Sequence, residues 1–165
     1  MTFSPRTWVA GETVSEAMMN TEVRDQFNSM FAAWPTYTPA WTASTTNPIL
    51  GTSIITGRYL KVGRRVDVSV LLTTASGTGF GAGIYAFSVP FTAASATVPY
   101  LGTSRLTGAD TWIGQTSLAS GGTTFNCTFP SSATNTRGTN MGRNDPEVHA
   151  IGMILRASLT YQSAT

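Results

Sequence analysis

An antiparallel β-sandwich of jelly-roll type, preceded by an N-terminal arm and one amphipathic α-helix, is the fold this mainly β sequence predicts. Three observations predict it. From residue 36 onward the chain is rich in Thr, Val, Gly and aromatics, and several segments alternate apolar with polar positions, the period of strands with one buried face. Gly-rich and Ser/Thr-rich stretches separate those segments with no helical pattern between them, which favours a sandwich or jelly roll over a parallel α/β sheet. The single convincing helical pattern lies before Trp34-Pro35. The 165 residues thus divide into an arm and attachment helix, 1–35, and a β-sandwich domain, 36–165.

The helix opens at Thr13-Val14-Ser15-Glu16. This reads as a capping box, with Thr13 accepting from a first-turn N–H and Glu16 reaching back to Thr13. Pro35 closes it, because a residue preceding proline is biased away from the α region. Met19, Val23, Phe27, Met30 and Trp34 recur at helical spacing and form one apolar stripe, opposite Glu22, Arg24, Asp25, Asn28 and Ser29. Two partners suit that stripe: the β domain of its own chain, or the same stripe on identical chains. Met and Phe adapt to many neighbours and do not fix a register, so a strict long coiled coil is not expected.

The strands follow from period-2 alternation. Val66, Val68, Val70 and Leu72 form one apolar row; Tyr85, Phe87 and Val89 form a second, and Phe125, Cys127 and Phe129 a third. The clearest strand places His149, Ile151, Met153, Leu155, Leu159 and Tyr161 on one face. Weaker strands are expected over 36–43, 53–62, 100–107 and 111–118, with loops at 75–83, 93–98, 119–124 and 131–144.

Composition narrows the function. Charged residues make up 11% of the chain, where soluble domains carry about 25%. Hydroxyls supply the polarity instead, Thr and Ser being roughly a quarter of the residues. The net charge is +2 and the basic residues are scattered, whereas phosphate-backbone binding needs a dense basic patch. No nucleic-acid partner is expected. No apolar run reaches the ~18 residues of a spanning helix, and the first ten residues lack the apolar stretch of a signal peptide. The single Cys127 excludes an internal disulfide.

Chemistry-bearing residues are few. Asp145, Glu147 and His149 share a face if they lie on one strand, a spacing that could gather a metal. Because that face continues into Ile151 and Met153, they read better as a strand entrance with a structural histidine. Cys127 alternates with Phe125 and Phe129, which makes it an inert small hydrophobe. With one His and no nucleophile elbow, no catalytic residue, cofactor or metal is expected. Trp41, Tyr100 and Trp112 lie near segment ends, where an aromatic ring can stack on a sugar.

Several motifs carry a family resemblance. The segment Thr7-Trp8-Val9-Ala10-Gly11-Glu12-Thr13-Val14, followed by Met19-Asn20-Thr21-Glu22-Val23-Arg24-Asp25-Gln26-Phe27-Asn28, resembles the N-terminal part of small minor tail or fibre proteins from phages of actinobacteria. Trp41-Thr42, Asn47-Pro48, Gly57-Arg58-Tyr59, Val62-Gly63-Arg64 and Tyr85-Ala86-Phe87-Ser88-Val89-Pro90 are similar to their β-domain. The resemblance covers residues 7–90. It implies a non-enzymatic virion protein on the particle exterior, made in the host cytoplasm without a signal peptide. Such a protein is commonly a homotrimer that meets other virion proteins and a host cell-surface glycan. In that frame the arm bearing Phe3, Pro5 and Trp8 docks onto another protein. Shaft repeats are absent, so a compact tail-tip or fibre knob is expected, with a capsid-surface decoration or head fibre as the alternative and a carbohydrate-binding module as a second one.

Overall fold

A computed structural model describes residues 7–165, apart from the side chain of Ser29. Phe3 and Pro5 of the expected docking arm lie outside the described residues.

Helix α1 (Glu16–Met19), a π-helical turn (Asn20–Arg24) and helix α2 (Asp25–Phe31) run end to end. The cap is Ser15 and not Thr13: the Ser15 Oγ accepts from the Met18 N–H at 3.3 Å, so the helix starts later than the capping box predicts. The π turn is closed by the Asp25 N–H donating to the Asn20 carbonyl, one residue further back than an α-helix reaches. The wider turn rotates less per residue, so it resets the angle between Met19 and the residues of α2 from the one a regular α-helix gives. The helix ends at Phe31, because Ala32 is already extended at ψ 151°. Trp34 therefore leaves the predicted stripe.

Ten strands follow: β1 (Thr36–Tyr37), β2 (Trp41–Ala43), β3 (Ile54–Val62), β4 (Arg65–Thr73), β5 (Tyr85–Ser88), β6 (Tyr100–Thr107), β7 (Thr111–Leu118), β8 (Thr124–Ser132), β9 (Asn135–Asn140) and β10 (Ile154–Gln162). Nine of them form one antiparallel path in the order β1-β3-β4-β10-β6-β7-β8-β5-β2, with β9 added to β8. The expected antiparallel β body is present. Its strands form one curled sheet with the shape of a half-barrel.

The curl follows from chain length. β1 and β2 stand at opposite ends of the path, yet only Thr38, Pro39 and Ala40 join them. Four residue steps of fully extended chain span about 14 Å at most, so the two ends must approach within that distance. The Ala40 N–H donates to Ser88 Oγ at 2.8 Å, the Ser88 N–H donates to the Ala40 carbonyl at 3.0 Å, and Tyr37 Oη donates to the Ser88 carbonyl at 3.3 Å. The Tyr37 ring lies directly over Gly57, where any Cβ would collide with it. The two-residue turn between β3 and β4 starts with Gly63 at φ 58°, the left-handed conformation such hairpins need at that place.

The concave face is the core. It gathers Val66, Val68, Val70 and Leu72 from β4, Leu155, Ala157, Leu159 and Tyr161 from β10, and Phe125, Cys127 and Phe129 from β8. Their alternation in sequence is the alternation in burial. Two expectations change here. β10 begins at Ile154 and not at His149, since the chain turns at Ile151-Gly152 and leaves Ile151 63% exposed. The stretch 131–144, expected as a loop, carries β9, whose exposed Thr, Arg and Asn side chains give no apolar alternation.

Candidate functional site

The N-terminal helix is the part of the chain whose surface is unexplained by the fold. No described residue before Pro39 is buried. Met19, Phe27, Met30 and Phe31 are 45%, 58%, 49% and 81% exposed. Helix α2 leans on β3, and Val23, Phe27 and Met30 face Val62 and Gly63 across a cleft of about 260 Å³. The stripe is therefore no element of the intramolecular core. Covering the exposed halves of such side chains is worth roughly 1 kcal/mol each, and contiguous apolar surface of this kind marks an interaction site. Trp8, from the arm, is 47% exposed.

The residues with ligand-like spacing are separately engaged. Glu147 holds the β6–β7 turn: its Oε1 accepts from the Ala109 N–H at 3.1 Å, and its Oε2 accepts from the Asp110 N–H at 3.2 Å and from Trp112 Nε1 at 3.1 Å. A carboxylate with three N–H donors is a strong clasp, so Glu147 is a structural residue of the β6–β7 turn and not a strand entrance. His149 is buried against Tyr85, edge-on at 5.5 Å, and Phe80, tilted at 6.2 Å. Its Nδ1 lies 3.1 Å from the Glu147 carbonyl and 3.3 Å from that of Arg143. Carbonyls only accept, so Nδ1 carries the proton. Nε2 is then a buried lone pair with no partner among the described residues. Among the described residues, no group of three acidic, His or Cys side chains is placed to hold a metal.

Burial lowers the His149 pKa, outweighing the hydrogen bonds to the Arg143 and Glu147 carbonyls and the Glu147 charge. The unfolded histidine titrates near 6.5. As pH falls below that value the unfolded chain takes up a proton that the folded chain refuses, so stability falls until the depressed folded pKa is passed. The melting temperature is expected to drop between pH 7.5 and pH 5.5 in the wild type, and a His149→Phe variant to lose that slope. A flat wild-type profile over this interval contradicts the assignment.

Cys127 is fully buried, and desolvation pushes its thiol up to about 12. It is unreactive at neutral pH. Of the aromatic rings offered for sugar stacking, Trp41 and Trp112 turn inward. Trp41 is core, stacked on Phe87 at 6.4 Å and edge-on to Tyr85 at 5.2 Å, and offers no ring face to a sugar. Trp112 is 8% exposed and tied to Glu147. Tyr100 is half-buried against Tyr161 at 6.1 Å and donates to the Ala94 carbonyl at 3.4 Å.

Trp34 is exposed as well, and it stands somewhere unexpected. The Tyr59 N–H donates to the Pro35 carbonyl at 3.1 Å, which pins the post-helix segment to β3. Trp34 thereby becomes one wall of a groove of about 780 Å³ on the convex face of the sheet, with Arg58, Asp67, Leu101 and Thr160. Sequence spacing placed Trp34 in the helix stripe, since nothing local says that the helix stops at Phe31. Among the described residues, no helix is long and apolar enough to cross a membrane. No protein-family model, curated protein or solved structure matches the chain.

Proposed function

We propose that this chain is a non-enzymatic structural subunit of a tailed-phage particle, a tail-tip or fibre-knob component that assembles as a homotrimer. One observation carries the assembly part of the reading: the apolar helix surface at Met19, Phe27, Met30 and Phe31, which the lone chain leaves uncovered. Identical chains bring identical stripes, and closed symmetric association is the usual way to bury them. The β body needs no such help, having its own core on the concave face. What points to a virion is the sequence resemblance over residues 7–90. In this reading the helix and arm attach and oligomerise, and the β body is displayed outward, whether as a two-layer jelly-roll relative or as the curled sheet alone.

Antibody raised against the β body, applied to purified particles of the phage that encodes the chain and viewed by electron microscopy, tests the reading. Label at the tail tip supports it. Label over the head replaces the knob with a capsid decoration, and particles without label overturn the virion assignment.

A further inference from the structure

The convex face of the sheet carries an arrangement that folding does not account for. Register places Arg156 of β10 directly opposite Arg105 of β6. Both are exposed, and neither makes a hydrogen bond or ion pair among the described residues. Side chains paired across strands sit about 5 Å apart at Cβ, and like charges so placed destabilise a sheet. Arg58 of β3 shares that face and is equally unpaired. The one acid there, Asp67, is already neutralised. Arg65 Nε and Nη2 bind its two oxygens at 3.0 and 3.1 Å, and Thr160 Oγ1 donates to it at 2.6 Å. Desolvation pushes the Asp67 carboxyl up, but these bonds outweigh it and leave the carboxyl below its ordinary range. Three guanidinium groups thus remain without a counter-charge.

Between them runs hydroxyl-rich ground. Arg58, Ser69, Ser158 and Thr103 form one row across β3, β4, β10 and β6. Ser158 Oγ and Thr103 Oγ1 are hydrogen-bonded to each other at 2.9 Å. Two shallow grooves, of about 780 and 310 Å³, meet over Ser69, Thr103 and Ser158: the larger is walled by Trp34, the smaller flanked by Arg105 and Arg156. Along β10 from Arg156 to Thr160 the surface extends about 13 Å at the strand rise.

We infer that this face binds an acidic saccharide, its anionic groups held by Arg105, Arg156 and Arg58, its ring hydroxyls by Ser69, Thr103 and Ser158, and one ring against Trp34. A guanidinium fork matches a carboxylate or sulfate, an indole face suits the C–H face of a pyranose, and neighbouring hydroxyls can both donate and accept. A single aromatic and three arginines, two of them a facing pair, are too sparse for the phosphate tracking and base stacking of a nucleic acid. The inference does not depend on the virion reading, because it is tested on the isolated protein.

The experiment is isothermal titration calorimetry of the full chain with oligogalacturonate, its neutral methyl ester, a chondroitin sulfate tetrasaccharide and a single-stranded oligodeoxynucleotide. At least one of the two acidic saccharides is expected to bind saturably, at least tenfold more tightly than the neutral ester and the oligonucleotide. An Arg105→Gln/Arg156→Gln variant is expected to bind that saccharide at least tenfold more weakly, and Trp34→Ala several-fold more weakly. Without ligand the double-Gln variant should melt no lower than wild type, since a like-charge pair has been relieved. That measurement separates lost binding from lost folding. Absence of binding by both acidic saccharides at millimolar concentration, equal binding of the neutral ester, or equal binding of the oligonucleotide overturns the inference. So does a loss of oligomeric mass in the double-Gln variant, which would make the face a subunit contact.

Discussion

A Phe27→Asp variant is expected to sediment as a single chain while keeping the far-UV signature of the β body. In the lone chain Phe27 is already 58% exposed, beside a cleft that the helix shares with Val62 and Gly63. A carboxylate there meets water and disturbs little. In an assembled seam of Phe27, Met30 and Met19 the same carboxylate is surrounded by apolar side chains, where an unpaired charge costs several kcal/mol. The chain escapes by dissociating. A detached helix of this length is marginal in water, so some helical signal should go with the mass. Melting of the sheet by this substitution would falsify the assignment of the stripe to an intermolecular contact.

Phe87→Ala is expected to do the reverse, lowering stability by about 3–5 kcal/mol. Phe87 is fully buried on β5, between Trp41 of β2 and Phe125 of β8, its register partners on either side. Its ring lies nearly parallel to Trp41, at 9°, and 5.6 Å from Phe125. Truncation leaves a cavity whose aromatic walls cannot collapse without breaking two strand pairings. For a chain of this size each kcal/mol moves the melting temperature by roughly 2–4 °C, so a fall on the order of 10 °C should appear in a thermal melt. The folded fraction should keep its oligomeric mass at low temperature, because the helix lies elsewhere. A fall of one or two degrees would show that β5 is not part of the cooperative core.

These two residues also show what was legible in the sequence. Phe87 alternates with Tyr85 and Val89, and alternation names the buried face wherever a strand is buried on one side; the rows at Val66–Leu72 and Phe125–Phe129 were readable for that reason. Alternation does not say which strand lies beside which. The final strand, β10, inserts between β4 and β6 and links the strands into one curled path. The stripe of Met19, Phe27 and Met30 was readable by helical period, but its geometry was not, because the π turn over Asn20–Arg24 leaves no mark in residue type. Thr13 and Ser15 are equally good caps, and the structure uses the second. Trp41 and Trp112, and in part Tyr100, turn away from the surface because an aromatic at a strand end can turn inward as readily as outward. Their burial follows from contacts with Phe87, Tyr161 and Glu147 far along the chain. The facing pair Arg105 and Arg156 depends on register between β6 and β10, which no local pattern encodes.

The central claim is that the exposed helix surface is covered by further copies of the same chain. Sedimentation equilibrium of the wild-type protein at micromolar concentration tests it most directly. The account predicts three times the mass of one chain. A stable single-chain mass, with the stripe at Met19, Phe27 and Met30 left open to solvent, contradicts it.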